Sequence, residues 1–222
     1  MTLLFETLVI VSLISVIHVS SLAAAAGLTG IPVREISFGL GGQIRRFGII
    51  RLRWLPIGGH VKLKHSEAEL LTESEFHDAY DHQPAWVQAL IPLSACIGLF
   101  VVAALSLGWS AWNFFLAGFW QFFIGAFGPL SDAQILIGDF VGFMSSSGVV
   151  AGFGFLCAKV AAVNLLPLPL LNGGDAILAL TGLHRWSKKL DLRLKQISIT
   201  ILCALYGCWL VAIGAYLWHA AA

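Results

Sequence analysis

Long apolar runs dominate the chain, and four of them reach the length that a bilayer requires. A spanning helix needs about 20 mostly apolar residues, because the hydrocarbon core of a bilayer is about 30 Å thick. The four runs cover about 3–26, 86–108, 146–170 and 197–218. This pattern predicts a polytopic α-helical membrane protein with about four transmembrane helices, organised as a single membrane domain over residues 1–222.

An aromatic segment, residues 109–127, lies between the second and third runs. It holds three tryptophans and six phenylalanines, Gly128-Pro129 ends it, and no basic residue flanks it. Tryptophan is enriched at the membrane–water interface, where one part of the ring system is solvated and the other is not. We therefore predict an interfacial or re-entrant segment before the third transmembrane helix.

The segment between the first two runs has a different periodicity. Residues 33–41 and 47–63 alternate apolar residues with polar or basic ones, and glycines separate the two stretches. A period of two is typical of β-strands. We predict a small β-hairpin or sheet element over 33–63, after the first helix, in which Pro56–Gly59 supplies the turn.

The basic residues are concentrated in two segments. Of the thirteen lysines and arginines, seven lie in 34–64 and five in 185–195, whereas 109–145 has none. The positive-inside rule therefore places 27–85, including the β segment, and 172–196 in the cytoplasm, and it places both termini outside. We predict an integral, multi-pass protein of a bacterial inner membrane.

Composition supports a membrane protein and excludes other classes. Apolar residues make up 58% of the chain and charged residues 11%, with a mean hydropathy of +0.86, whereas about a quarter of the residues in soluble domains are charged. The net charge is only +1, and no broad basic face of the kind that binds nucleic acid is predicted. All four cysteines lie in apolar runs without a CxxC pair, so we predict neither a disulfide nor a thiolate metal site.

Five short motifs follow one another in a fixed order. They are His18 with Ala26 and Gly30, VREISFGLG at 33–41, LPIGGHVK at 55–62, GPLSDAQ at 128–134 and NLLPLPLLNGG at 164–174. In order and spacing they resemble the motifs of the site-2 proteases, which are intramembrane zinc metalloproteases. The resemblance covers nearly the whole chain. The connection 109–145 is too short for the PDZ domain that many bacterial members insert there, so no PDZ domain is expected.

The departures from the family pattern fall on the catalytic positions. The resemblance implies that His18 is the first zinc ligand, but Val19 stands where the family has the glutamate that acts as general base. Leu22 replaces the second histidine ligand, and Asn172 replaces the aspartate ligand. Zinc sites need three or four nitrogen, oxygen or sulfur donors, and a valine cannot carry a proton. We therefore expect no catalytic residue, no zinc or other cofactor, and no proteolysis, as in a pseudoprotease.

Two alternatives remain open at the level of the sequence. An active intramembrane zinc metalloprotease would need unusual ligands, for which His18 and Asp175 are weak candidates and a third ligand is not identified. Transport or proton relay through Lys159 would require inverted repeats or several buried acids. Neither feature is evident in the sequence.

Several residues near the degenerate site are candidates for binding a partner. Lys159 lies in the third predicted span, where a charge is costly and by default marks a function or a partner; a carboxylate of another subunit would satisfy it. In active members the broken segment that here holds Asn164, Pro167, Pro169 and Asn172 helps to receive a substrate strand. We expect a non-catalytic protein of the lipid bilayer that binds partner transmembrane segments or serves as a subunit of a larger membrane complex.

Overall fold

The computed structural model describes residues 2–66, 69, 72–183 and 188–221. Over these residues it contains six α-helices, two β-strands and two short 3-10 turns. The elements are α1 (Thr2–Leu28), β1 (Val33–Phe47), β2 (Ile50–Leu63), 3-10 turns at Glu73–Asp78 and Tyr80–His82, α2 (Ala85–Leu107), α3 (Ser110–Phe127), α4 (Asp132–Asn164), α5 (Asn172–Thr181) and α6 (Lys188–Ala221). By length and composition alone, four of the described helices, α1, α2, α4 and α6, could cross a membrane. The predicted fold class, a helical membrane protein with a small β element after the first helix, is therefore confirmed.

The chain forms two compact units. The first comprises Met1–Leu99 and Asp175–Leu183, and so contains α1, both β-strands, most of α2 and most of α5. The second comprises Phe100–Gly174 and His184–Ala222, with the end of α2, α3, α4 and α6.

The two β-strands form one antiparallel hairpin, but its turn is not where the sequence predicted it. The turn follows Phe47, where Gly48 has a φ of 60°. Pro56–Gly59 instead lies inside β2, where the strand bends and Gly58 has a φ of 71°, a conformation that glycine adopts at no steric cost. The prediction of a turn at Pro56–Gly59 was therefore wrong, although the segment does redirect the chain.

Because β2 bends, its two halves pair with opposite edges of β1. Ile36 of β1 is paired with Ile50 near the start of β2 and with Val61 near its end. The next-but-one residue, Phe38, is likewise paired with residues from both halves. One long hairpin therefore places the first and last thirds of β2 on opposite edges of the start of β1.

The first unit contains two buried apolar clusters. In one of them, Ala25 and Ala26 of α1 and Ile31, three residues after its end, pack with Val87 and Ile91 of α2. A second cluster joins α5 to α2 through Ala89, Ala176 and Ala179. Because alanine side chains are short, they allow close approach of apolar helices.

In the second unit, α4 is not one straight helix, because the chain doubles back at Gly148. This residue has a φ of 82° and a ψ of 171°, outside the helical range. The ring centroids of Phe143 and Phe155 are 5.5 Å apart, although twelve residues of continuous helix would separate them by about 18 Å. The two halves, 132–147 and 149–164, therefore pack side by side as a helical hairpin. The length and composition of α4 would allow a membrane span, but α4 is not one straight span of 33 residues.

The bounds predicted for the third span, 146–170, were wrong at both ends. α4 begins at Asp132 and ends at Asn164. Pro167 and Pro169 follow within five residues, and proline both lacks an amide hydrogen and clashes with the preceding helical turn. The chain therefore leaves the helix well before residue 170.

The aromatic segment is a continuous helix, α3, of 18 residues. Near its start, Trp112 packs against Phe100 close to the end of α2. Near its end, the carbonyl oxygen of Phe122 accepts a 2.9 Å hydrogen bond from the indole N–H of Trp209, which lies in the middle of the fourth predicted span. These contacts favour the re-entrant alternative over the interfacial one, and the placement in the bilayer stays a prediction.

The core of the second unit gathers around the same end of α3. It consists of residues from α3, α6 and the segment after α4: Phe122, Ala126, Leu166, Leu171, Leu202 and Leu205. The non-helical segment that follows α4 is thus held between helices by apolar contacts.

Candidate functional site

Three positions of the degenerate catalytic motif lie on α1. Val19 is completely buried, whereas His18 and Leu22 are half-buried. Leu22 packs against the buried cluster of α1 and α2. Residues four apart share one face of a helix, so an alkyl chain stands where a second imidazole would have to stand beside His18.

The bend of β2 covers Val19. The backbone N–H of Gly58 donates a 2.7 Å hydrogen bond to Ser15 Oγ, one helical turn before Val19. A Cβ atom on Gly59 would lie 2.8 Å from Val19 Cγ2 and would also collide with the carbonyl oxygen of Ser37. Gly59 therefore lets the strand lie directly on α1, and the position of the family's general base is filled by a packed alkyl group.

The fourth degenerate position, Asn172, lies in the second unit at the first residue of α5. The two glycines after it are in tight backbone contact with the segment that follows α4. A Cβ on Gly173 would collide with the carbonyl of Leu165, and a Cβ on Gly174 with that of Leu168. The Gly-Gly pair is therefore required for this packing, independently of any metal ligand beside it.

The broken segment between α4 and α5 has one strained residue. Leu170 has a φ of 81°, which is rare for a residue with a side chain and costs about 1–3 kcal/mol. Its side chain is nevertheless 45% exposed, and Pro167 is exposed as well. At the head of the segment, the Asn164 side-chain amide donates a 2.9 Å hydrogen bond to the carbonyl oxygen of Val160, one turn back in its own helix.

Asp175 lies in the first turn of α5 and belongs to the first unit. There it acts on the connector before α2: burial, together with the negative charge of Asp175, raises the pKa of Tyr80 to about 12. The Tyr80 hydroxyl donates a 2.8 Å hydrogen bond to the carbonyl oxygen of Gln88. Asp175 therefore lies close enough to Tyr80 to act on it electrostatically within the first unit.

The donor set does not fit a zinc ion. In the part of the chain that the structure describes, no three histidine, cysteine, aspartate or glutamate side chains come together at a distance that would hold a metal ion. The weak candidates His18 and Asp175 therefore have no third donor of these kinds among the described residues, and a zinc site needs three or four ligands.

Lys159 has neutral partners inside the second unit. Its ammonium group donates a hydrogen bond to Gln121 Oε1 of α3. It also lies 5.1 Å from the ring centroid of Phe155 and 5.7 Å from that of Phe114. A Cβ on Gly118 would press on Lys159 and on Ala162, so this glycine lets α3 approach the lysine closely. An amide oxygen and two aromatic faces stabilise a cation without neutralising it.

Two polar residues of the structure were missed by the sequence analysis. Gln121 is one of the few polar residues in the aromatic segment, and this rarity is a signal that the sequence does carry. Glu35 is the only acidic residue in 34–64, a segment that holds seven lysines and arginines. It is 4% exposed and is ion-paired to residues of β2.

The contact between Gln121 and Lys159 predicts unequal effects of two substitutions. Gln121→Leu leaves a half-buried ammonium without its acceptor, and we expect the free energy of unfolding to fall by at least about 2 kcal/mol. Lys159→Leu removes the charge itself, so the loss should be smaller or absent, and the double variant should be close to the wild type. Thermal unfolding of the purified chain in detergent measures all three.

A larger loss for Lys159→Leu than for Gln121→Leu would contradict this assignment. It would mean that the lysine makes its main interaction with a group other than Gln121.

The comparison with known proteins agrees with the motifs. No curated protein sequence matches the chain. The sequence model of Peptidase family M50 matches residues 6–208, which is nearly the whole chain and includes most of α1, the hairpin and the Asn172-Gly173-Gly174 step. The chain therefore belongs to Peptidase family M50, the site-2 protease family.

Proposed function

We propose that this protein is a non-catalytic member of the family, a pseudoprotease, which binds partner transmembrane segments or serves as a subunit of a larger membrane complex. The observation that carries the proposal is the packing of Val19. An active member needs a glutamate at this position that can reach water and exchange a proton. Here the position holds an alkyl side chain with no exposed surface, in contact with the backbone of Gly59.

The residues at the family's metal-ligand positions also support a non-catalytic protein. His18 is the one side chain of the family's ligand set that is still a metal donor by type, since Leu22 is apolar and Asn172 is a neutral amide. Hydrolysis of a peptide bond inside a membrane requires a water molecule made nucleophilic, which zinc achieves by lowering its pKa. A single imidazole and a valine supply neither the metal site nor the base.

Partner binding is supported by the surface that the broken segment presents. Pro167 and the strained Leu170 are exposed in the stretch between α4 and α5. Residues with a strained backbone cluster at functional sites. Gly173 and Gly174 place the first turn of α5 directly against this stretch, at Leu165 and Leu168. We assign Asn164, Pro167, Pro169 and Asn172 to the binding of a partner segment, and Lys159 to the polar lining next to it in the second unit.

The first test of this proposal measures metal. Because His18 stands without the other ligands, purified protein should contain no stoichiometric zinc by elemental analysis. His18→Ala should leave the metal content unchanged. One equivalent of zinc that survives dialysis and is lost in His18→Ala would establish the alternative, a zinc protease with unusual ligands.

The second test measures whether the position of the base is closed. Val19→Glu places a carboxylate in a filled, apolar site, and we expect it to lower the free energy of unfolding by about 3–5 kcal/mol. Val19→Leu has a side chain of similar size without the charge and should cost only about 1–3 kcal/mol. Denaturant or thermal unfolding of both variants gives the difference.

Equal stability of the glutamate and leucine variants would show that water reaches position 19. The site would then be open enough for a catalytic glutamate, and the packing of Val19 could no longer support the proposal.

The third test concerns the partner. A photo-crosslinking amino acid at Leu170 should form a discrete adduct with a membrane protein in cells, because the proposed binding segment exposes this side chain. Leu130, which is 69% exposed in the turn between α3 and α4, provides the matched control and should give no such adduct. The same adduct pattern from both positions, or none from Leu170, would count against partner binding at this segment.

A further inference from the structure

One face of the β-sheet carries a group of basic side chains around a single buried carboxylate. Glu35 of β1 is 4% exposed, and no other acidic residue occurs in 34–66. Four basic groups of β2 lie within 4 Å of its carboxylate: Arg51, Arg53, His60 and Lys62. We call Glu35 and these four side chains the Glu35 cluster.

The charges in the Glu35 cluster do not balance. Burial lowers the pKa of the His60 imidazole, so this side chain is uncharged at neutral pH. Two arginines and one lysine then share a single carboxylate, which leaves a surplus of two positive charges. By contrast, the described ion pairs of Arg34 and Lys64 each join one cation to one acid. The surplus is therefore a local property of the cluster.

Two cations of the cluster come from the two halves of β2 and reach the same oxygen atom. Lys62 is paired with Glu35 in the sheet, and Arg51 is paired with Ser37 on the opposite edge of β1. Arg51 Nη2 lies 3.1 Å from Glu35 Oε2, and Lys62 Nζ lies 3.5 Å from it. A phosphate group accepts hydrogen bonds of about 2.8 Å from such cations. One group of that size can therefore bridge both nitrogen atoms on the side away from Glu35.

Arg51 and Lys62 have hydrogen-bond donors left for a ligand. Among the described residues, their side-chain nitrogen atoms contact no acceptor other than Glu35. The two side chains are 31% and 60% exposed. Arg53, in contrast, donates hydrogen bonds of 2.7 Å to Ser37 Oγ and 2.8 Å to the carbonyl oxygen of Gly41. It therefore adds fixed charge to the site, while the buried Glu35 holds the other two cations in place.

The size of the charge surplus indicates the class of ligand. A phosphate monoester carries a charge of about −1.5 to −2 at neutral pH, which matches a surplus of two. A carboxylate or a phosphodiester carries only one negative charge and would leave the site unbalanced. Arginine binds phosphate oxygens with its planar fork, and lysine binds them as a point charge. The donors of the cluster are therefore of the types that phosphate sites use.

We propose that Arg51 and Lys62 bind a phosphate dianion, which is either inorganic phosphate or the monoester group of a small soluble molecule. Arg53 adds charge to the site, and Glu35 positions the two binding cations. The predicted orientation places 27–85 in the cytoplasm, so soluble phosphates of that compartment reach the site. A bound phosphate links the two halves of β2 across β1 and stabilises the bend between them. The proposal does not depend on the loss of catalysis and concerns a different surface from the broken segment between α4 and α5.

The test measures phosphate binding by the full chain in a neutral detergent. Isothermal titration calorimetry with inorganic phosphate, at an ionic strength held constant with sodium chloride, should show saturable binding of one phosphate per chain. Phenyl phosphate competes for the site if the ligand is a monoester, and its failure to compete would assign the site to inorganic phosphate. Dimethyl phosphate, a diester with one negative charge, should bind at least about tenfold more weakly, because it leaves one positive charge unmatched.

Matched charge variants identify the residues responsible. Lys62→Gln removes a binding cation from an exposed position, so the fold should be retained, and it should raise the Kd for phosphate at least about tenfold. Lys62→Arg keeps the charge and should retain most of the affinity. Arg45→Gln removes the same charge from the other face of the sheet, where the Arg45 guanidinium group lies 4.9 Å from the centroid of the Phe47 ring. This control should leave the Kd unchanged. Phosphate should raise the unfolding temperature of the wild type and of Arg45→Gln, but not that of Lys62→Gln.

Three results would overturn the proposal. Titration heats that never saturate would mean that the surplus charge attracts only diffuse counterions. Equal affinity for dimethyl phosphate and inorganic phosphate would mean that the site does not recognise a dianion. Equal weakening of phosphate binding by Arg45→Gln and Lys62→Gln would mean that the net charge of the sheet acts, and not the Glu35 cluster.

Discussion

The contact between the bend of β2 and α1 determines the arrangement of the first unit. It forms because Gly59 has no side chain to hold the strand away from Val19 and from Ser37, and the hydrogen bond from Gly58 to Ser15 fixes it in place. Once the bend is fixed, the two halves of β2 must run along opposite edges of β1. Basic residues from both halves then converge on Glu35, which lies between them. The closed base position and the group of basic residues around Glu35 are thus two consequences of one backbone approach.

The second unit follows a related rule, because polar groups within a membrane protein must find partners inside the chain. The helical hairpin of α4 brings Lys159 against α3, where Gly118 allows close approach and Gln121 provides an acceptor. The turn at Gly148 is what makes this possible, since it lets one apolar segment supply two packed helices. The lysine is therefore accommodated by an amide oxygen and two aromatic rings within one unit.

Sequence patterns predicted the elements whose formation depends on composition over many residues. The apolar runs predicted α1 and α2 to within two residues at each end, whereas α6 begins at Lys188, nine residues before the predicted run. The alternation in 33–63 predicted the β element, because both signals average over a whole segment. The turn after Phe47 was missed because Pro56–Gly59 has the stronger turn residues, although in the fold they bend a strand. The doubling back at Gly148 has no compositional signal either, because a glycine in an apolar run is equally common in a straight membrane helix. Gln121 and Glu35 were missed because their roles depend on partners that lie 38 and up to 27 positions away.

The motif residues of the family fall into two physical groups, and this chain separates them. Glycines such as Gly59, Gly173 and Gly174 set the path of the backbone, and each is explained here by an atom that a Cβ would strike. The side chains that would bind metal or carry a proton form the second group, and of these only His18 retains its type. Because the first group is sufficient to maintain the packing, a family match over residues 6–208 reports the architecture and carries no information about hydrolysis. Binding a transmembrane segment would draw on the first group, whereas cutting it would need the second group as well. The proposal of a non-catalytic, partner-binding protein rests on this separation, since of the second group only His18 keeps its type.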